Sequence, residues 1–277
     1  YDYWHTVHDC FVAHYLKPCH DWCEAEDLAF TGHLLESSWP APANQPSTMA
    51  ALRWMHAPGN DLLGFQFKPT SIADNAIYFL NLRELDSIKR QCGRRHSLVE
   101  TSGGGGYGFG PAEFKPLEDF VLCSGVNLVV PHLSHQTLAG SRKYDWAQTL
   151  SDHAPWWHGY GQHADHLARV NALLSEGAVA RPVLVLHPST SGWLHFEGPI
   201  EQHGEDGDND AIRNTREDQS HLLLQLDRAG VPFDLGDDLV LSELGAVEDD
   251  LLRIGECRYE HVVLPRGCCN LPEKTLA

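Results

Sequence analysis

His96-Ser97-Leu98-Val99-Glu100-Thr101-Ser102-Gly103, with the glycines that run on to Gly110, is the stretch on which the rest of the chain turns. Leu98 and Val99 predict a buried strand, and the strand ends in a carboxylate. The glycines, interleaved with Tyr107 and Phe109, open backbone conformations closed to other residues. A carboxylate at the exit of a buried strand, facing a loop of this kind, is where an α/β enzyme keeps its chemistry. The competing reading is a solvated Glu100 in front of a flexible linker.

Working outward, Trp4, Val7, Phe11 and Tyr15 fall at helical spacing, with a kink expected near Pro18. Residues 28–33 read as a strand, followed by Leu34-Leu35-Glu36 and a proline-rich loop from Pro40 to Pro46. A second apolar run occupies 62–67. Asn81 with Glu84 has the spacing of a capping box opening a helix through Leu85 and Ile88, closed by Gly93. After the glycines, Pro111 starts a helix that stops near Gly125, and 126–130 is a further strand ending at Pro131-His132. A loop rich in His, Trp and Tyr then leads to a helix over 163–175, closed by Gly177.

Strand, long loop and helix thus recur about every 33 residues, the period of βα units. Long loops after strands and short ones before them match a (β/α) barrel whose site lies on the C-terminal face. Only four units are present in 1–178, so this segment is expected to be part of a TIM-type (β/α)8 barrel. Arg181-Pro182 marks a boundary. Beyond it, strands at 183–187, 233–235 and 262–265 with a helix over 212–228 predict a second, truncated α/β domain over 179–277, doubly wound like flavodoxin.

The chain has 277 residues, 42% of them hydrophobic, and a formal net charge of −18. That composition belongs to a folded protein, and that charge repels nucleic acid and anionic membranes. A neutral substrate suits it better. No run reaches membrane-spanning length, and the chain opens at Tyr1 inside a predicted helix, as a piece of a longer protein would. It carries no targeting signal of its own, which favours the cytoplasm. The eight cysteines are scattered, without a C-x-x-C, and are expected to be buried free thiols.

Glu36 and Glu100 each sit just past the end of a predicted strand, and barrel geometry would bring such ends over one cavity. Glycoside hydrolysis needs a pair of this kind, one carboxyl to protonate the leaving oxygen and the other to activate water or attack the sugar. Around them lie Trp39, Tyr107 and Trp156, whose faces can stack on sugar rings, and His33, His132 and His135, which can bond hydroxyls. Other chemistries compete. Gly103, Gly105 and Gly108 match the dinucleotide pattern of a nucleotide-binding oxidoreductase, although no acidic residue ends a second strand about twenty residues on. Asp206, Asp208 and Asp210 imitate a calcium loop but lack its turn glycine. Cys19, His20 and Cys23 could be zinc ligands without a second pair, and His163 and His166 could share a metal on one helix face.

Residues 31–36 (Thr-Gly-His-Leu-Leu-Glu) with Trp39-Pro40, then Glu100-Thr101 with Gly103 to Gly106, resemble the barrel signatures of glycoside hydrolase family 106, the α-L-rhamnosidases and their relatives. His132-Leu133-Ser134, residues 139–143 and Pro155-Trp156-Trp157 fit the same ordered pattern. The resemblance continues through residues 187–193 and 233–237, which look like an amidotransferase-like α/β domain following the barrel. It implies an inverting hydrolase of a terminal deoxysugar such as α-L-rhamnose, a calcium ion near the sugar hydroxyls, and Glu36 and Glu100 as acid and base. Open glycines around Glu100 favour the base, and the Leu34-Leu35 setting of Glu36 favours an acid of raised pKa. The segment by itself would be an inactive fragment or a sugar-binding relic if further catalytic groups lie elsewhere in such a protein.

Overall fold

The computed structural model describes residues 1–35, 39–144, 146, 150–177, 179–198 and 209–276. Glu36 lies outside them, as do Asp206 and Asp208 of the acidic stretch. The chain begins with α1 (Asp2–Phe11), a π-helical turn (Val12–Leu16) and α2 (Lys17–Ala25) in one continuous rod. Pro18 lies where the rod passes from the π turn into α2; it has no N–H to donate, and the wider turn just before it takes the place of the expected kink.

Four parallel strands follow in sequential order, β1 (Thr31–Gly32), β2 (Ala57–Leu62), β3 (Leu98–Thr101) and β4 (Leu128–Pro131). Between them run α3 (Thr48–Leu52), α4 (Ala76–Gln91) and α5 (Pro111–Cys123). The second strand is not the apolar run 62–67. It is Ala57-Pro58-Gly59-Asn60-Asp61-Leu62, and residues 64–66 form a 3-10 turn instead. Gly59 is the reason: a Cβ there would stand 2.3 Å from the Gly32 carbonyl oxygen, so only glycine lets β1 and β2 close up. The first strand is cut to two residues, with the Phe30 carbonyl accepting from the His56 and Ala57 amides beside it.

Helix α4 starts at Ala76, not at Asn81, and the supposed capping pair Asn81 and Glu84 is buried in its interior, each 1% exposed. Leu82 and Leu85 are fully buried, while Asn81, Glu84, Ser87 and Gln91 make a buried polar stripe at helical spacing. A helix buried on every face lies in the middle of a core, and α4 does. Its polar stripe meets the second sheet: Ser87 Oγ accepts from the Leu235 amide at 2.9 Å, and Gln91 Nε2 donates to the Leu235 carbonyl at 2.8 Å.

After α6 (Tyr160–Ser175) come β5 (Val183–His187), α7 (Ser189–His195), α8 (Asp210–Arg228), β6 (Phe233–Asp237) and α9 (Asp238–Leu244). An antiparallel meander that the apolar pattern misses follows, β7 (Gly245–Glu248), β8 (Leu251–Ile254) and β9 (Cys257–Tyr259). Then β10 (His261–Val263) joins a parallel sheet of order β10-β5-β6, and α10 (Glu273–Leu276) comes last. The class is mixed α/β with two parallel sheets. One hydrophobic core joins residues of both, from Leu52, Leu62 and Val99 to Leu184, Leu235 and Tyr259.

All eight cysteines are unpaired, but none is fully buried: Cys10, Cys123 and Cys269 are exposed and the others half-buried, which corrects the expectation of buried thiols. Among the described residues no helix is long and apolar enough to cross a membrane.

Candidate active site at the C-terminal ends of β2 and β3

The parallel register sets Asp61 of β2 directly beside Glu100 of β3. Glu100 keeps a quarter of its side chain exposed, and two imidazoles turn toward it. His33 Nε2 lies 3.0 Å from Glu100 Oε2, and His132 Nε2 lies 3.7 Å from Oε1. Both histidines follow directly on strands, His33 after β1 and His132 after β4, where the His132 amide donates to the Thr101 carbonyl at 2.8 Å.

The His33 ring is oriented by chemistry that can be read atom by atom. Its Nδ1 is 3.1 Å from the Leu34 carbonyl oxygen, which can only accept, so Nδ1 carries a proton. A neutral ring would then point a bare Nε2 at a carboxylate oxygen. The pair therefore needs a proton or a cation between its members. One donor atom each from His33, Asp61 and Glu100 lies within 4.8 Å of the others, a spacing that suits a bound metal ion. One imidazole and two carboxylates suit zinc, manganese or iron. Calcium, the ion implied by the resemblance, takes six to eight oxygens, more than these three described side chains supply by themselves.

The backbone behind Glu100 is strained and tightly packed. Ser102, 1% exposed, has φ +72, a left-handed conformation that costs a non-glycine residue about 1–3 kcal/mol. The turn it starts is held by the Ser102 amide to the Leu62 carbonyl at 3.2 Å and the Gly64 amide to the Gly103 carbonyl at 2.9 Å. A Cβ at Gly105 would meet the Phe109 ring at 2.5 Å, so part of the glycine run serves close packing. At the start of α5 the Gly110 amide donates to Glu113 Oε2 at 2.8 Å, which places a carboxylate at the helix N-terminus where a dinucleotide phosphate would sit. Below the strand, Thr101 Oγ1 donates to Glu118 Oε1 at 3.3 Å, and Glu118 also pairs with His163.

Of the sequence candidates among the described residues, His33 and His132 turn a ring nitrogen to Glu100. Trp39 is 4% exposed, and its indole face is covered by His187 at 3.9 Å between ring centroids, so it is not open to a sugar. Tyr107 is exposed, with its hydroxyl donating to the Lys143 carbonyl at 2.6 Å. Trp156 packs against Phe114 at 5.2 Å, and His135 is 9% exposed with its Nε2 buried and unbonded. His163 and His166 do not share a metal. Each pairs with a carboxylate of α5, Glu118 and Asp119. His20 groups with Glu24 and His56 rather than with Cys19 and Cys23, but His56 Nδ1 accepts from the Phe30 amide at 2.9 Å. That leaves the His56 proton on Nε2, facing Glu24, and no lone pair for a metal. Asp61 is the residue that sequence reasoning missed. Its only local signal is a carboxylate one residue before the end of a strand whose composition hides it.

The C-terminal ends of parallel strands are where α/β folds place their ligand sites, and these carboxylates and imidazoles gather there. The chain is similar to a solved structure of a rhamnosidase from Novosphingobium sp. PP1Y, with a TM-score of 0.70 and 19% sequence identity. The match covers 100% of this chain and 24% of that one, so the chain spans about a quarter of that protein's length. This likeness shows a rhamnosidase-like fold. No protein-family model matches the chain. No curated protein matches it.

Proposed function

We propose that this chain forms part of a glycoside hydrolase of the α-L-rhamnosidase kind, with β1 to β4 as an arc of a (β/α)8 barrel and Glu100 in its active site. The observation that carries the reading is the convergence of His33, Asp61, Glu100 and His132 at one end of four sequentially ordered parallel strands. The fold likeness to a rhamnosidase supports it.

Glu100 is the candidate base, partly open to water and oriented from two sides by His33 and His132. In this role it accepts a proton from the attacking water as the glycosidic bond breaks, and a second carboxyl protonates the departing oxygen. Asp61 is too near to be that second group in an inverting enzyme, whose carboxyls stand about 6.5–9.5 Å apart. Its donor oxygen lies within 4.8 Å of that of Glu100, which suits a shared proton or cation. Glu36 remains the candidate acid by resemblance, and inversion goes with that pairing. The ligand is a neutral carbohydrate, consistent with a chain of net charge −18 that disfavours anionic partners.

Turnover of an aryl α-L-rhamnoside by the complete protein tests the reading. Glu100→Gln is expected to lower kcat by about 10²–10⁴-fold with the fold intact. Unchanged turnover in that variant would remove Glu100 from the chemistry.

A further inference from the structure

A second cluster of reactive side chains lies at the C-terminal edge of the other parallel sheet, the edge where open α/β sheets bind ligands. Helix α7 leaves the end of β5, and the chain returns to it after β10 at Cys268-Cys269-Asn270. Ser191 and His195 stand one turn apart on α7, on the same face. Ser191 is fully buried, and its Oγ accepts from the amides of Cys269 and Asn270, both at 3.0 Å. The same hydroxyl donates to the Asn270 carbonyl at 3.1 Å, and Asn270 Nδ2 donates to Thr190 Oγ1 at 3.0 Å. The backbone of Cys269 is thus fixed by a buried anchor, while its side chain is exposed.

On that fixed backbone the Cys269 Sγ meets His195 Nε2 at 3.2 Å. Among the described residues no other thiol is hydrogen-bonded to an imidazole. Other thiols differ in setting: burial pushes Cys92, Cys257 and Cys268 up, with Asp238 adding to the effect at Cys268. Cys10 and Cys123 are exposed like Cys269.

We propose that Cys269 is a nucleophilic thiol with His195 as its base, a modification site for small organic disulfides. In the reaction the Cys269 sulfur attacks one sulfur of the disulfide as its proton passes to His195 Nε2. A new S–S bond forms to Cys269, the old S–S bond breaks, and the departing thiolate takes the proton from His195 and leaves as a thiol. One disulfide is consumed and one is formed, so no outside oxidant is needed. Cys268 does not displace the adduct readily. Adjacent Cα atoms are about 3.8 Å apart, below the span of roughly 4.4–6.8 Å that a disulfide prefers.

The test is site-resolved modification of the native chain by the neutral disulfide dithiodipyridine near pH 7, followed by thiopyridone release and peptide mapping. Cys269 is expected to react at least about tenfold faster than Cys10 and Cys123, the exposed controls in the same molecule. His195→Gln should bring its rate down to theirs, and Cys269→Ser should abolish the fast phase. Equal rates at the three thiols of the unaltered protein would overturn the proposal, a comparison that does not depend on any variant folding. A His195→Gln protein with a native circular dichroism spectrum and an undiminished fast phase would overturn it too.

Discussion

Asp61 and Glu100 occupy the same rung of the β2–β3 pairing, and His33 closes the third side of the space between their carboxylates. Three donors so placed predict a single divalent-cation site. Calorimetric titration with Zn²⁺ or Mn²⁺ is expected to show one site that weakens at least about tenfold in His33→Ala and in Asp61→Asn. His56→Ala should leave it unchanged, because the His56 lone pair is already engaged by the Phe30 amide. Binding indifferent to His33 and Asp61 would place the ion elsewhere.

Gly59→Ala tests the close approach that seats Asp61. The added Cβ would stand 2.3 Å from the Gly32 carbonyl oxygen, a backbone atom with little room to move. A loss of about 1–3 kcal/mol or more in urea unfolding is expected. Wild-type stability would show that β1 is free to shift.

Glu84 and His187 are both buried, 1% and 0% exposed, and meet at 2.9 Å, with Trp39 stacked on the imidazole. His187→Ala strips Glu84 of this partner and uncovers the indole face. Removing a hydrogen-bond partner from a buried carboxylate costs about 1–3 kcal/mol or more, so the variant should unfold at lower denaturant. Glu84→Gln, which keeps a hydrogen-bond acceptor, should cost less. Equal losses in the two variants would contradict this account.

Asp86 gives the fold an acid limit. Burial acts to raise its pKa, but Arg181, Lys89 and Arg83 outweigh burial and bring it from 3.8 to about 2. A carboxylate held down in the folded state adds stability that is present in full above its unfolded pKa and vanishes as pH falls through the folded one. Stability is therefore expected to drop by about 2 kcal/mol between about pH 4 and pH 2. Asp86→Asn should flatten that part of the profile, which chemical denaturation at stepped pH would read.

The legible parts of this chain were those written in local pattern. The apolar pair before Glu100 makes β3, the run Val183-Leu184-Val185-Leu186 makes the fully buried β5, and glycines at 93, 125, 177 and 230 follow helix ends with positive φ. These signals work because side-chain burial and helix termination depend on residues a few positions apart.

Strand β2 carries no such signal. Ala57-Pro58-Gly59-Asn60-Asp61-Leu62 has neither an apolar run nor an alternation, and the apolar segment after it proves to be a turn. Its residues are extended because β1 and β3 pair with them from either side. The same holds for α4, where Asn81 and Glu84 look like a helix start until a second sheet is laid against them, and for Trp39, which looks like a sugar platform until His187 covers it.

The sequence by itself determined that the protein is α/β, that β3 delivers Glu100 to a glycine-lined exit, and that histidines follow the strands. Tertiary structure alone decided that Asp61 shares the space around Glu100. The reason is that strand register is set by contacts between residues some forty positions apart, and no local pattern encodes which side chains a register will bring together.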